Sequence, residues 1–188
     1  MSAKRITFER FELIVQALAE NRVVIMPCDT IYGLVGAAPE TESKLIELKK
    51  RREKRFLRLI PDADISPYSP DRLPERVKAF WPAPLTVIVR DFNGETVALR
   101  CPDDLQLQKI LNAVGRPLFS TSVNISGEPP LNSFEEIAAV FGSSVDLIVD
   151  GGNLKKKAPS TIVDLTQGKP IIVREGAVDA KTVFSLFD

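Results

Sequence analysis

The chain has 188 residues, of which 44% are hydrophobic and 27% are charged, close to the average of soluble globular proteins. This length favours a single domain over residues 1–188, which buries about two thirds of its unfolded surface without disulfides. The 25 basic and 25 acidic residues cancel, so net charge predicts no general attraction to nucleic acid or membranes. The composition excludes disordered, collagen-like and fibrous proteins.

Histidine is absent from the sequence. Ser-His and Cys-His catalytic arrangements, histidine zinc sites and a histidine general base are therefore excluded. The two cysteines, Cys28 and Cys101, lack a partner at metal-binding or redox spacing, which favours a reducing compartment. Aliphatic runs are far shorter than the roughly 20 residues of a membrane-spanning helix, and no hydrophobic signal core is present at the amino terminus. We therefore expect a cytoplasmic protein without membrane contact.

Helices and strands alternate along the chain. Phe8, Phe11, Ile14, Val15 and Leu18 recur at helical spacing, and the aliphatic residues 23–26 then stop at a proline, as a short buried strand would. Further strands are predicted at residues 85–90, 96–100, 118–122, 147–150, 161–165 and 171–174. A helix is predicted over residues 105–113. This order indicates an α/β fold.

A capping box predicts one more helix, because Ser133 is followed three positions later by Glu136 and then by apolar residues. Residues 61–74 contain four prolines and are predicted to form a loop within the domain. The segment Trp81-Pro82-Ala83-Pro84 predicts a rigid turn with a large apolar anchor, a structural feature.

Residues 49–58 carry seven cations and one anion. Two interpretations stay open with about equal weight: phosphate binding, or a solvated helix end whose cations complement the helix dipole. A second cluster, at residues 155–157, is interpreted as a loop. The phosphate-binding motifs Gly-x-x-x-x-Gly-Lys-Ser/Thr and Gly-x-Gly-x-x-Gly are both absent, which disfavours P-loop and Rossmann enzymes.

Hydroxyls, amides and arginines cluster where predicted strands end. In open α/β sheets, ligands gather at strand ends, so these segments together predict a shared site. Taken one at a time, such Ser and Thr residues more often cap a helix or close a turn. The segments are residues 27–30, 99–102, 120–124, 159–161 and 173–176.

In their order along the chain, these segments resemble the YrdC/Sua5/YciO family over nearly the whole sequence. The resemblance rests on Met26-Pro27-Cys28-Asp29-Thr30-Ile31-Tyr32-Gly33-Leu34, Leu48-Lys49-Lys50-Arg51, Trp81-Pro82-Ala83-Pro84-Leu85-Thr86, Ala98-Leu99-Arg100-Cys101-Pro102, Ser120-Thr121-Ser122-Val123-Asn124-Ile125-Ser126-Gly127, Pro159-Ser160-Thr161-Ile162-Val163-Asp164 and Arg174-Glu175-Gly176.

The resemblance implies a twisted, mixed and largely parallel sheet flanked by helices around a basic cavity. It also implies a nucleotidyltransferase, in which ATP, L-threonine and bicarbonate give threonylcarbamoyl-AMP and pyrophosphate. The product would serve downstream proteins that form N6-threonylcarbamoyladenosine in tRNA. An alternative for the family is a diverged paralogue that binds RNA, either tRNA or double-stranded RNA, with little synthase activity.

The same resemblance assigns site residues. Lys49 and Arg51 match the catalytic basic pair at the nucleotide phosphates, with Arg55 as a helper. The nucleotide-binding set is completed by Thr96, Ser122, Asn124 and Arg174. The L-threonine set is Cys28, Arg100, Ser120 and Ser160, in which Arg100 would hold the carboxylate. For the cations the alternative is surface ion pairing, and for the hydroxyls it is strand-end capping.

Asp29 would orient a nearby donor or help bind a Mg²⁺ carried by ATP, and no dedicated metal ligands are assigned. Two departures from the family pattern bear on the substrate site, and two others, Ala83 for Gly and Val123 for Ala, call only for local repacking. Cys28 stands where many members have a threonine-contacting Thr, which replaces a good hydrogen-bonding group by a weak one. The basic run also lacks the two prolines that give this loop a rigid shape in the family pattern.

Overall fold

The computed structural model describes residues 3–51, 56–154 and 158–187. Within them, ten strands form one sheet and six helices flank it. The strands are β1 (Lys4–Ile6), β2 (Val24–Pro27), β3 (Tyr32–Ala37), β4 (Leu57–Leu59), β5 (Leu85–Arg90), β6 (Thr96–Arg100), β7 (Leu118–Ser122), β8 (Leu147–Val149), β9 (Thr161–Asp164) and β10 (Ile171–Arg174). The helices are α1 (Phe11–Ala19), α2 (Glu42–Lys49), α3 (Glu75–Phe80), α4 (Leu105–Val114), α5 (Phe134–Phe141) and α6 (Ala180–Ser185). None of the helices in these ranges is long and apolar enough to span a membrane.

Every predicted strand and helix is present, with ends that differ by one to three residues at most. The first helix is preceded by a short 3-10 turn, Phe8–Arg10, and α5 is capped by Ser133, whose hydroxyl accepts from the Glu136 amide. Residues 61–74 form turns without helix or strand, as predicted. Strands β1, β3 and β4 and helices α3 and α6 have no counterpart in the sequence prediction.

The strand order is β1-β8-β2-β3-β7-β4-β6-β5-β9-β10. Four of the nine described pairings are parallel and five are antiparallel. The prediction of a mixed sheet flanked by helices is confirmed, but the sheet is not largely parallel. The reason lies in β3 and β4, because three of the antiparallel pairings involve these two unpredicted strands.

Strands β8, β2 and β3 pack against helices on both faces. Successive side chains of a strand point to opposite faces of the sheet. Val24 and Met26 of β2 therefore enter a core with α1 and α4, while Ile25 enters a second core with α2 and α5. This part of the sheet is apolar on both sides.

Strands β6, β5 and β9 pack against helices on one face. Val87, Leu99 and Val163 point into a third core, to which α3 contributes Val77 and α6 contributes Val183. Their neighbours in sequence point to the opposite face of the sheet. That opposite face becomes the floor of a cavity.

The Trp81-Pro82-Ala83-Pro84 turn is structural, as predicted. The Trp81 side chain packs in the third core and is buried, with an exposed fraction of 5% for the residue. Its indole Nε1 donates to the Leu85 carbonyl at 2.8 Å. The turn thereby fixes the start of β5 from beneath the cavity floor.

Candidate active site

A cavity of about 410 Å³ lies on the open face of β6, β5 and β9. Loops from both halves of the sheet close it, and its described lining includes three arginines and no carboxylate. A surface of this kind favours an anionic ligand. Its polar lining residues are Cys28, Thr30, Tyr32, Arg51, Thr86, Thr96, Arg100, Ser120, Thr121, Ser122, Ser160 and Arg174.

Strand alternation supplies the floor of the cavity. Five side chains from three strands point to the same face of the sheet and form this floor. They are Thr86 and Ile88 on β5, Thr96 and Ala98 on β6, and Ile162 on β9. The floor combines aliphatic surface with threonine hydroxyls. It can therefore pack against a flat, apolar group and donate hydrogen bonds at its edge.

Arg100, at the end of β6, forms a buried ion pair with Asp29 from the loop between β2 and β3. Nη2 of Arg100 donates to Oδ1 of Asp29 at 2.8 Å, and the two side chains are 4% and 3% exposed. The guanidinium lines the cavity and Asp29 lies behind it. Nε of Arg100 is buried without a hydrogen-bond partner in the described part of the chain. Asp29 thus orients a nearby donor, one of its two predicted roles.

Arg174, at the end of β10, is held against the start of β9. Its Nη2 and Nε donate to the Ser160 carbonyl at 2.8 and 3.2 Å, and Nη2 also lies 3.3 Å from the Ser160 hydroxyl. That hydroxyl is 2.9 Å from the Thr86 hydroxyl. Burial, and then the charge of Arg100, lower the pKa of Arg174. The guanidinium of Arg174 therefore shares the cavity with those of Arg100 and Arg51, which strengthens its attraction for anions.

Lys49, the last residue of α2, is 3% exposed and lies beside the lining rather than in it. Its Nζ donates to Oδ1 of Asn124 at 2.6 Å and to the Ser122 carbonyl at 2.8 Å, and it lies 3.4 Å from the Ser122 hydroxyl. These acceptors are neutral. Burial, and then the charge of Arg51, lower the pKa of Lys49 from 10.5 to about 8.

Asn124 organises the loop that follows β7. Its Oδ1 accepts from Lys49 and from the Ser122 hydroxyl, and its Nδ2 donates to the carbonyls of Ile125 and Glu128 at 3.0 and 2.6 Å. The amide thus fixes Ser122 at the cavity wall and Lys49 behind it. Asn124 itself does not line the cavity.

Cys28 and Ser120 form one wall of the cavity, with their Sγ and Oγ atoms 4.0 Å apart. Burial raises the pKa of the Cys28 thiol to about 12, so it stays protonated and is a poor nucleophile. The neighbouring β3 strand passes so close that a Cβ on Gly33 would lie 2.8 Å from Sγ. A larger residue at position 33 would displace the thiol.

Tyr32 and Thr86 line the cavity although no site role was predicted for them. The Tyr32 hydroxyl accepts from the Gly151 amide at 2.8 Å and donates to the Gly152 carbonyl at 2.9 Å, which ties the loop after β8 to β3. Tyr32 belongs to the segment 26–34 that carries the family resemblance. Strand alternation in residues 85–90 was the signal that could have placed Thr86 on the floor.

The structure brings together most of the predicted site. The residues that line one cavity are Cys28, Arg51, Thr96, Arg100, Ser120, Ser122, Ser160 and Arg174, with Lys49 and Asn124 directly behind Ser122. Arg55 and the cluster at residues 155–157 lie outside the described residues. Arg58 packs over the ring of Phe119, 5.8 Å from its centroid, and is not part of the described lining.

A Mg²⁺ role for Asp29 finds no support in this geometry, because its carboxylate is buried against Arg100. The described part of the chain contains no group of three or more Cys, Asp or Glu residues placed to hold a metal ion. A magnesium ion at this site would be held mainly by phosphate and water oxygens, as is usual for this ion.

Comparison with known proteins assigns a family to this arrangement. The sequence model of the Sua5/YciO/YrdC family, described as "Telomere recombination", matches residues 16–176. A Vibrio campbellii protein named threonylcarbamoyl-AMP synthase is 31% identical to the chain; the match covers 89% of this chain and all of that protein.

Two solved structures share the fold. Escherichia coli YciO superposes with a TM-score of 0.84 at 24% identity, covering 95% of this chain and 98% of that one. P. abyssi Sua5 complexed with L-threonine also gives a TM-score of 0.84 at 24% identity, covering 98% of this chain and 59% of the longer Sua5 chain. At this identity, the structures support the fold rather than the activity.

Proposed function

Because the chain belongs to the Sua5/YciO/YrdC family, we propose that it is an L-threonylcarbamoyladenylate synthase. It converts ATP, L-threonine and bicarbonate into threonylcarbamoyl-AMP and pyrophosphate, which makes it a nucleotidyltransferase. The relative named threonylcarbamoyl-AMP synthase, matched over its whole length, supports this proposal. The observation that carries it is the convergence of Arg51, Arg100 and Arg174 on one cavity whose described lining has no carboxylate.

The threonine half of the site centres on Arg100. A guanidinium can hold a carboxylate through two charge-assisted hydrogen bonds, and Asp29 fixes its orientation from behind. Ser160, Ser120 and Cys28 line the same cavity and supply hydroxyl and thiol contacts for the rest of the amino acid. L-Threonine thus binds with its carboxylate toward Arg100.

The nucleotide half centres on Arg174 and Arg51, with the Thr96 and Ser122 hydroxyls at the wall. Lys49 lies behind Ser122 and donates hydrogen bonds to Ser122 and to Asn124. Its buried positive charge is therefore held at short range from the phosphates. Any Mg²⁺ enters with ATP and is bound mainly by its phosphates. Lys49 and Arg51 neutralise the charge that develops on the leaving pyrophosphate.

The reaction needs positioning more than a base. The ammonium group of threonine first loses a proton to water, the neutral amine and bicarbonate then combine to a carbamate with loss of water, and the carbamate oxygen is already anionic. This oxygen attacks the α-phosphorus, the bond from that phosphorus to the bridging oxygen breaks, and pyrophosphate leaves. The absence of histidine is therefore no obstacle. The product would pass to the downstream proteins that form N6-threonylcarbamoyladenosine in tRNA.

The test is a product assay. Purified protein is incubated with ATP, Mg²⁺, bicarbonate and either L-threonine or one of a panel of other amino acids, and the adenylate and pyrophosphate are measured by mass spectrometry and a coupled assay. We expect the threonine adduct with stoichiometric pyrophosphate. Product only with another amino acid would assign a different substrate, with Cys28 as the first residue to exchange for Thr.

Failure to form product with any amino acid would contradict the synthase and leave the RNA-binding alternative. RNA binding would then be measured as a function of salt. Affinity that falls steeply with salt indicates phosphate contacts, and undetectable binding at low salt would exclude that alternative as well.

A further inference from the structure

A buried hydroxyl lies beneath the Arg174 end of the cavity. Thr161, the first residue of β9, is fully buried and does not contribute to the described lining. Its Oγ1 donates to the Val178 carbonyl at 2.5 Å and accepts from the amides of Gly176 and Val178 at 2.8 and 3.0 Å. A hydroxyl has one donor and two acceptor lone pairs, so the capacity of this one is fully used.

These bonds join two segments that both face the cavity. Ser160 precedes Thr161 and supplies the carbonyl that holds Arg174, while the chain that leaves Arg174 returns to Thr161 at Gly176 and Val178. Pro159 adds a further link, because its carbonyl accepts from the Ala177 amide at 2.8 Å. The segment after β10 is thus bound to the chain on both sides of Ser160, at Pro159 and at Thr161.

The backbone at Gly176 packs closely against the backbone of Pro159 and Ser160. A Cβ on Gly176 would meet the backbone of Pro159 and would lie 2.8 Å from the carbonyl carbon and oxygen of Ser160. The peptide of Gly176 therefore lies directly against the peptide that holds the arginine. A change in the Thr161 bonds would move both partners of the Arg174 contact.

We propose that Thr161 is a positioning residue, whose hydroxyl sets Arg174 against Ser160 and so presents the guanidinium to the nucleotide. This inference rests on the proposed function, in which Arg174 belongs to the ATP half of the site. Thr161 touches no substrate. It acts through the segment from Gly176 to Val178.

The experiment compares Thr161→Val, which keeps the shape and removes the hydroxyl, with Thr161→Ser, which keeps the hydroxyl. The amides of Gly176 and Val178 lose their acceptor in Thr161→Val, and we expect the KM for ATP to rise about tenfold with kcat changed less than about twofold. Thr161→Ser should stay within about twofold of the wild-type KM. Titration calorimetry with a non-hydrolysable ATP analogue should show the same loss of affinity.

Thr41→Val is the matched control. Thr41 is buried, its hydroxyl donates to the Ala37 carbonyl at 2.9 Å, and it lies outside the described cavity lining. We expect this variant to lower the melting temperature with an unchanged KM for ATP. Thr161→Cys, which has nearly the right volume and a weak hydrogen-bonding group, replaces Thr161→Val if that protein does not fold.

Three results would overturn the inference: an unchanged KM for ATP in Thr161→Val, a Thr161→Ser protein as impaired as Thr161→Val, or an equal rise in Thr41→Val. Each of these presupposes an active wild type, so it leaves the proposed function intact. A wild-type protein that makes no product would instead overturn the proposed function, and the inference with it.

Discussion

The two halves of the sheet follow the same strand alternation but use it differently. In β2 and β8, both alternating sets of side chains are apolar, and both are buried against helices. In β5 and β6, one set enters the third core and the other faces the cavity. In the first half, β2 and β8 are scaffold on both faces, whereas in the second half β5 and β6 are scaffold on one face and cavity floor on the other.

This difference shows where the sequence encodes function within a sheet. A polar side chain at every second position is ordinary on a solvated face and carries little information by itself. Here the polar set ends in Arg100, which is buried and paired with a carboxylate from the other half of the sheet. A buried charged residue at the end of a strand, such as Arg100, therefore indicates a functional site better than the alternation of polar and apolar residues does.

Replacing Arg100 should have the largest effect on activity. Arg100→Gln removes a guanidinium that can make two charge-assisted bonds, so we expect kcat/KM for threonine to fall by at least about a hundredfold. The KM for ATP should change much less. Steady-state kinetics with each substrate varied in turn measures both.

Two companion variants separate this loss from a folding defect. Arg100→Gln removes the cation that pairs with the buried Asp29 carboxylate, which is destabilising, and adding Asp29→Asn removes that carboxylate charge. The double variant should regain stability and still use threonine poorly. Arg90→Gln, on the neighbouring strand, is the matched control: Arg90 is exposed and is not part of the described lining, so full activity is expected. A threonine-competent Arg100→Gln protein would remove the carboxylate clamp from the proposal.

The scaffold half should respond in the opposite way. Leu18 on α1 is fully buried between the helices and the sheet. We expect Leu18→Ala to lower the free energy of unfolding by about 3 kcal/mol, because it leaves a cavity in a packed core. Denaturant titration measures this loss, and kinetics at a temperature where the variant is folded should match wild type. A change in KM as large as that of Arg100→Gln would show that the two halves are not separable.

Deprotonation of Lys49 at alkaline pH should have a smaller effect on activity. With a pKa of about 8, Lys49 loses its charge as the pH rises above that value. We expect kcat/KM for ATP to fall about tenfold per pH unit on the alkaline side, since this parameter reports the free enzyme. Lys49→Arg should keep its charge, so its kcat/KM for ATP should not change with pH up to about pH 10. A wild-type profile without an alkaline limb would contradict a role for this charge.

The free energy of unfolding should also depend on the ionisation of Lys49, and the lowered pKa fixes the direction of this dependence. The pKa of Lys49 is lower in the folded protein than the 10.5 of an ordinary lysine, so the unfolded chain binds the proton more readily between pH 8 and 10.5. The free energy of unfolding contributed by this group therefore rises with pH across that window and is lowest below pH 8. Lys49→Met should lose this rise.

Much of the fold was predictable because β5, β6, β7 and β10 are bounded, strongly patterned runs. Strand β3 was missed, since Tyr32–Ala37 contains two glycines and glycine is depleted in strands. The structure explains both of them: a Cβ on Gly33 would collide with Sγ of Cys28, and a Cβ on Gly36 would collide with the Thr41 side chain. Helices α3 and α6 have six residues each, too few to show a helical period.

The site was predictable as a set of residues but not as a network. The order of the motifs assigned Lys49 and Asn124 to the candidate site. Their contact joins side chains 75 positions apart, and it places both behind the lining. The same holds for Thr161, whose role depends on a loop that returns to it from Gly176. Sequence patterns reveal which residue types are present, and tertiary contacts decide which of them touch a ligand.

The chain contains a single tryptophan, and its place beneath the cavity floor makes it an optical reporter. Trp81 is buried in the core of the second half of the sheet, with its indole hydrogen-bonded to Leu85. Its fluorescence therefore follows exposure of that half to water, while the first half is silent at the tryptophan wavelength. Comparing this emission with far-ultraviolet circular dichroism during unfolding would show directly whether the binding half opens before the scaffold half.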